Sequence, residues 1–416
     1  MERIIKKKIL IHTIVFSPDG VSTAYLYNEI ALGFKNAGYE VVVLTTTPHY
    51  NLNKGINNNQ KLSKIYFGLL FKSNFNGISV YHIPLKKYKS TTIRLISFVY
   101  WHLSSLILGL TFKNIDFVLS PSPPLSIALI SILIAKKNNA KFIYNVQEIY
   151  PDLLISNGFL KSIYLINIFK YIEKYIYNSS SAVITIDQIF YNKLINRLSD
   201  KNKLHIISNF VDTEIYKPVE KTSNLHFPFN TVSTNIKLLY AGNIGFYQDW
   251  EPILYAAKKL KENKIEFWII GEGVKKNELI NNLKNQKITN VKIFPYQSQE
   301  LMPSINSHID IHFIAISKDM EQEGFPSKVY TIMASSKPMI IITGENTPLY
   351  NFCINLNCSI IITKNRNEEF LEAVKKLAYD ETLRKKMGEN GFYEIQKNYT
   401  KEIVIMKYLK LFNNLT

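Results

Sequence analysis

The residues with the most chemical content lie in one stretch, Glu323-Gly324-Phe325-Pro326-Ser327-Lys328-Val329-Tyr330-Thr331-Ile332-Met333-Ala334-Ser335-Ser336-Lys337-Pro338-Met339-Ile340. It reads as an acidic, glycine-bearing loop that runs into a helix over residues 327–335. Pro326 suits a first helical turn, where its missing N–H costs nothing. The start of such a helix offers unpaired N–H groups and the positive end of its dipole to an anion. Lys328 adds a full charge close by, and a diphosphate is the natural occupant. An amphipathic helix with a solvated lysine has the same local pattern, so the stretch needs support from elsewhere in the chain.

Glycine-bearing turns supply part of it. In Leu239-Tyr240-Ala241-Gly242-Asn243-Ile244-Gly245-Phe246-Tyr247-Gln248-Asp249 a strand runs into a loop. Gly242 and Gly245 there let backbone approach a ligand closely, or simply close a tight turn. This loop holds no Lys or Arg, which leaves Lys328 as the counter-charge for a phosphate. Upstream, Phe16-Ser17-Pro18-Asp19-Gly20 follows the first strand, and Asn145-Val146-Gln147-Glu148-Ile149-Tyr150-Pro151-Asp152 carries two carboxylates. Glu148 and Asp152 are each suited to acid/base or orienting work, and equally to capping a helix. His12, His49 and His82 lack metal-ligand spacing and read as packing or hydrogen-bonding residues. Cys353 and Cys358 are too few for a disulfide framework and read as buried and reduced.

The elements that must position these residues alternate between short apolar runs and helical patterns, the mark of parallel α/β units. Strands are expected at 8–13, 40–45, 117–120, 141–146, 182–185 and 205–207. Residues 214–236, with Pro218, Pro228 and no periodicity, read as a linker. A second series follows, with strands at 237–240, 267–270, 291–294, 309–314 and 339–342. Helices are expected at 251–262, 327–335, 368–379, 381–398 and 400–412. A chain of 416 residues accommodates two such domains.

Several of these segments, in order, resemble glycosyltransferase family 4 (group 1), a retaining family with the GT-B fold. Its nucleotide-sugar motif has an acid, a second Glu eight positions later, then Ala-Met-Ala, a Gly and Pro-Val. Glu323, Met333, Ala334 and Pro338 match it, whereas Thr331 stands at the second acid and Ser336 at the Gly. Pro326-Ser327-Lys328, and Gly242-Asn243 with Gly245, resemble a branch of colanic acid, capsule and O-antigen enzymes. Ile270-Gly271-Glu272-Gly273 is similar to the family's turn after the second donor-domain strand. Tyr296 and Glu300 fall in the loop that receives the base. Asn209-Phe210-Val211-Asp212 with Tyr216-Lys217-Pro218 is similar to its hinge entry, and Gly20 to its first loop.

The resemblance implies an α/β, GT-B protein with two Rossmann-like domains facing each other across a cleft. Residues 1–213 would bind the acceptor and 237–399 the donor, with a C-terminal helix at 400–416 packing back onto the first domain. It implies Glu323 near the donor sugar hydroxyls, with Phe325, Ser327 and Thr331 lining the donor site. Lys328 would face the phosphates without any metal or other cofactor. A UDP-sugar, with an acetamido-deoxyhexose among the options, would be transferred to a polyprenyl-diphosphate-linked saccharide.

Fifty Lys+Arg against 33 Asp+Glu give a net charge of +17. Almost all the cations are Lys in a chain rich in Asn, Ile and Tyr, so compositional drift accounts for part of the excess. The tyrosines follow apolar periodicity and do not interleave with a basic stripe, which argues against a nucleic-acid binder. The N-terminal start lacks a signal-peptide pattern, and a cytoplasmic location is expected. Residues 95–112 are apolar enough for a buried or membrane-facing helix but barely reach the length of a span. With Lys86-Lys87-Tyr88-Lys89 and the basic start they point to an anionic membrane surface as a partner, on the inner face of the cytoplasmic membrane. Two rivals stay open: a sugar-nucleotide epimerase, which needs a carboxylate pair and a His that are not evident, and an inactive scaffold of polysaccharide assembly.

Overall fold

The computed structural model describes residues 6–49, 60–86, 90–220, 234–322 and 325–416. Glu323, Gly324, Lys87, Tyr88 and Lys89, named above, lie outside the described residues, as does 221–233 of the expected linker. The chain divides into two compact units, Met1–Asn209 with Glu402–Thr416, and Phe210–Lys401.

The first unit is built on a sheet of nine described strands: β1 Lys8–His12, β2 Glu40–Thr46, β3 Ser63–Ile65, β4 Leu70–Phe75, β5 Ile78–Ile83, β6 Phe117–Ser122, β7 Lys141–Val146, β8 Ala182–Thr185 and β9 Leu204–Ile206, in the order 3-4-5-2-1-6-7-8-9. From β5 to β9 every pairing is parallel. The central strands are buried on both faces, which is why they read as continuous apolar runs. The antiparallel extension β3-β4 was not anticipated. Its sequence signal is Asn76-Gly77, both at positive φ (48° and 82°), the pair that a two-residue hairpin turn requires.

Helices cover both faces. Thr91–Thr111, Leu125–Asn138 and Ile163–Ser179 lie on one face, the middle one touching both neighbours. On the other, Ser22–Asn36 packs against the C-terminal helix Lys401–Asn414. Gly33 leaves room for Ile405, Phe34 meets Phe412 with ring centroids 4.5 Å apart, and Tyr408 receives an Asn145 Nδ2 hydrogen bond at 2.8 Å. The last helix is therefore part of the first unit although it follows the second in sequence.

The second unit carries β10 Ile236–Ala241, β11 Ile265–Ile270, β12 Val291–Phe294, β13 Ile311–Ala315, β14 Met339–Ile342 and β15 Ser359–Ile362 in the order 12-11-10-13-14-15, all parallel. The order reverses between β10 and β13, so a crevice opens at the C-terminal ends of those two strands, the usual ligand position in open α/β sheets.

After the helix Lys328–Ala334, the chain turns at Ser336, which sits at φ 54°, where a residue with a Cβ is strained. Gly388, in the helix Glu381–Asn398, brings bare backbone against the Ser336 carbonyl, and a Cβ there would collide with it. Ser336→Gly is expected to raise stability by about 0.5–1 kcal/mol, relief of the strain outweighing the freer unfolded chain. Gly388→Ala is expected to lower it by about 1–3 kcal/mol. Urea unfolding followed on the second unit checks both.

Candidate nucleotide-sugar site

In the second unit, three loops converge at the C-terminal ends of β10, β11 and β13. Gly242 follows β10 with φ 149°, and its N–H donates to the Ile270 carbonyl at 2.9 Å. A Cβ at Gly271 would collide with the Gly242 carbonyl oxygen, and one at Gly273 with that of Ile244, so the two glycine loops touch through backbone. The Ile244 N–H donates to the Glu272 carbonyl at 2.8 Å, and the Gly245 N–H donates to Gln248 Oε1 at 2.9 Å. Gly245 serves the turn itself, since its missing Cβ leaves space for the Asn243 side chain at 2.6 Å.

Lys328 comes into this cradle from the helix after β13. Its Nζ lies 3.8 Å above the centroid of the Tyr240 ring, and 2.8 Å from where a Gly242 Cβ would stand. Tyr240 in turn donates its hydroxyl to the Asn243 carbonyl at 2.7 Å, bracing the loop from below. Among the described residues, Lys328 Nζ has the aromatic face as its partner and no carboxylate. The residue keeps part of its surface in solvent, yet its ammonium end is enclosed enough that burial pulls its pKa down to about 7. The glycine at 242 is what admits it.

The helix itself is shorter than expected. It starts at Lys328, with Ser327 at the N-cap and making no side-chain cap bond, and Pro326 stands before it, accepting the Val329 N–H at 3.0 Å. Seven residues give a weak dipole, so the ammonium carries most of the positive potential. Phe325 does not face solvent fully but packs on Tyr330 and Phe352, with centroids 5.4 and 5.1 Å apart. The Thr331 hydroxyl turns back to the Lys328 carbonyl at 2.9 Å. Tyr296 and Glu300 are exposed beyond β12, on the same C-terminal edge but away from Lys328 in strand order.

A network absent from the sequence reading fixes the approach to this helix. Arg366, after β15, donates from Nη1 to Asp249 at 2.8 Å and to the Ile316 carbonyl at 3.0 Å, and pairs through Nη2 with Glu321. Gly344, after β14, makes room for Glu321, whose carboxylate a Cβ would strike. One buried guanidinium thus ties the loops after β10, β13 and β15 together. A groove of about 1060 Å³ borders this network at Asp249, lined by Gly245, Phe246, Lys258, Lys275 and Lys318 among others; it does not include Gly242 or Lys328.

The segments 24–215 and 221–393 match the family models described as Glycosyltransferase Family 4 and Glycosyl transferases group 1. The chain is a glycosyltransferase of this family. It is 24% identical over 364 residues to WcaI of Escherichia coli K12, named as a colanic acid biosynthesis glycosyl transferase, covering 83% of this chain and 86% of that one. Among solved structures, sucrose-phosphate synthase from Thermosynechococcus elongatus superposes with a TM-score of 0.74 at 12% identity, covering 99% of both chains. Anabaena HepE, solved in complex with UDP, gives 0.69 at 10% identity, covering 98% of this chain and 100% of that one. The fold is GT-B.

In the first unit of the glycosyltransferase, the expected residues stand apart in role. Glu148 follows β7, where the Ser122 hydroxyl donates to its carbonyl at 2.7 Å and accepts its N–H at 3.2 Å. Its carboxyl is half-buried, and burial raises its pKa. Asp152 differs from the acid/base expectation. Arg197 grips both its oxygens at 3.1 and 2.5 Å and also holds Glu173 at 2.9 Å, so Asp152 is a structural anchor of the loop. Gln147 donates to Asn145 at 3.2 Å and accepts from Asn209 at 3.0 Å. Gly20 closes the loop after β1. That loop is held through Ser17, whose hydroxyl donates to Gln60 at 2.6 Å; Gln60 donates to Ser73 at 2.8 Å. Ser73 meets His82 Nε2 at 2.7 Å. Burial lowers the His82 pKa to about 4, and Nδ1 of the neutral ring donates to the Thr46 carbonyl at 3.0 Å, leaving Nε2 to accept.

Proposed function

We propose that the enzyme moves a sugar from a UDP-linked donor to a polyprenyl-diphosphate-linked saccharide in the assembly of a surface polysaccharide, with retention of anomeric configuration. The observation that carries the reading is the enclosed ammonium of Lys328, with no carboxylate partner among the described residues, set against bare backbone at Gly242 where the sheet order reverses. Departure of the nucleoside diphosphate builds negative charge, and a preorganised cation in a water-poor crevice stabilises that charge more than it stabilises the ground state. Glu323 would act near the donor sugar. Glu148, with its raised pKa and free carboxyl among the described residues, is the better of the two upstream acids for orienting or proton transfer. HepE, a structural relative, binds UDP, and WcaI is named for colanic acid biosynthesis; both agree with this choice of donor and product class. The protein would work from the cytoplasmic side.

Isothermal titration of UDP against GDP is the primary test. UDP binding in excess of GDP is expected, and failure of both nucleotides to bind would overturn the reading in favour of an inactive scaffold. Among the described residues no three His, Cys, Asp or Glu side chains group as metal ligands. With Lys328 supplying the charge, transfer is expected to persist in EDTA, and restoration of lost activity by a divalent ion would count against that role.

A further inference from the structure

On the first unit, the helices Thr91–Thr111 and Ile163–Ser179 are not seated like ordinary crossover helices. Residues 91–96 and 161–165 are exposed on every side of the helix and its lead-in, although Leu95, Ile96, Ile163 and Tyr164 are among them. Val99 and Ile168 continue the exposed apolar stripes one turn further. Both helices lie on the same face of the sheet, flanking Leu125–Asn138. Each links strands of one parallel sheet and so runs opposite to them, which places both N-terminal halves at the C-terminal edge. Glu148 and Gly20 stand on that edge.

We propose that these two helix ends form one face that seats in the interface of an anionic phospholipid bilayer. Charge selects this occupant. Over residues 90–111 and 159–179 the exposed ionic groups are Arg94, Lys161, Lys170 and Lys174, while the lone acid, Glu173, is buried against Arg197 and Tyr177. Apolar area ringed by cations is what an anionic surface attracts. A second copy of the chain would set these cations against themselves across a two-fold axis with no acids to answer them. The helix Thr91–Thr111 has the length and composition of a span. It lies on the membrane and does not cross it, because both its ends join the same sheet and its Trp101, Ser105 and Gly109 stripe is buried in the unit. Resting on the lipid-linked acceptor reading, the consequence is that the docked edge delivers that acceptor to Glu148 without leaving the interface.

The test is co-sedimentation of the full chain with vesicles of phosphatidylglycerol and phosphatidylcholine, against phosphatidylcholine alone, with no acceptor present. Binding to the mixed vesicles that weakens with salt is expected. Leu95→Glu with Ile168→Glu should lower it at least about tenfold while UDP affinity and the circular dichroism spectrum stay unchanged. The milder pair Ile96→Ser and Tyr164→Ser should shift it in the same direction. Equal binding by these variants, no binding by the parent chain, or a solution dimer that the variants split would overturn the proposal. Because bare vesicles contain no acceptor and no nucleotide, vesicle binding by a chain that binds no UDP would overturn the functional reading and leave this face standing.

Discussion

Lys328→Ala is expected to weaken UDP binding by about tenfold to a hundredfold, the range for a hydrogen-bonded charge on a phosphate. It should lower kcat by about a hundredfold to a thousandfold, because the lost charge acts most on the departing diphosphate. The free enzyme should not lose stability in return. With its pKa drawn down to about 7, the folded site binds its proton less tightly than the unfolded chain does. Between pH 7 and the ordinary lysine value the unfolded state therefore holds more protons, and this group's contribution to stability rises with pH through that window. Below pH 7 it is a fixed penalty. The alanine variant removes that penalty, and its Tm without nucleotide is expected to equal or exceed the parent's near neutral pH.

The same shift sets a pH dependence of binding. A bound diphosphate favours the ammonium, so above pH 7 the site must take up a proton to bind. UDP affinity is expected to fall by up to about tenfold per pH unit between pH 7 and 9. The Lys328→Ala profile should be flat there. Titration in buffers of different ionisation enthalpy would count the proton directly. A parent enzyme with no proton uptake and an unaltered Kd in the variant would remove Lys328 from the phosphate site.

Arg366→Ala should be the most damaging change away from the nucleotide. The guanidinium is 9% exposed and answers two carboxylates, at Asp249 and Glu321, together with the Ile316 carbonyl. Removing one partner of a buried ion pair leaves the others desolvated, at a cost of about 3–5 kcal/mol. Part of that cost should appear locally, as faster hydrogen exchange over residues 316–322, with weaker UDP binding because this segment leads into the Lys328 helix. Arg366→Lys keeps charge but not the fork and should fall between. Unchanged exchange in the alanine variant would show that the network does not hold the loop.

The sequence by itself determined the α/β class, the two successive strand series and the run of glycine turns at strand ends. Period and turn chemistry are local properties, so 141–146, 182–185, 291–294 and 339–342 coincide with β7, β8, β12 and β14. It also determined that the Gly242–Asp249 loop holds no cation of its own, since that is a matter of composition. The tertiary structure decided what these residues meet. Lys328 and Tyr240 are 88 positions apart, and only the pairing of β10 with β13 brings the ammonium over the ring. Asp152 looked as available as Glu148 until folding placed Arg197, 45 residues on, against it. The Asp249–Arg366–Glu321 network has no local signature, because its members come from three strand ends. The same holds for the last helix, whose apolar stripe shows that it packs but not on which unit; Gly33 and Tyr408 decide that by shape and by one buried hydrogen bond.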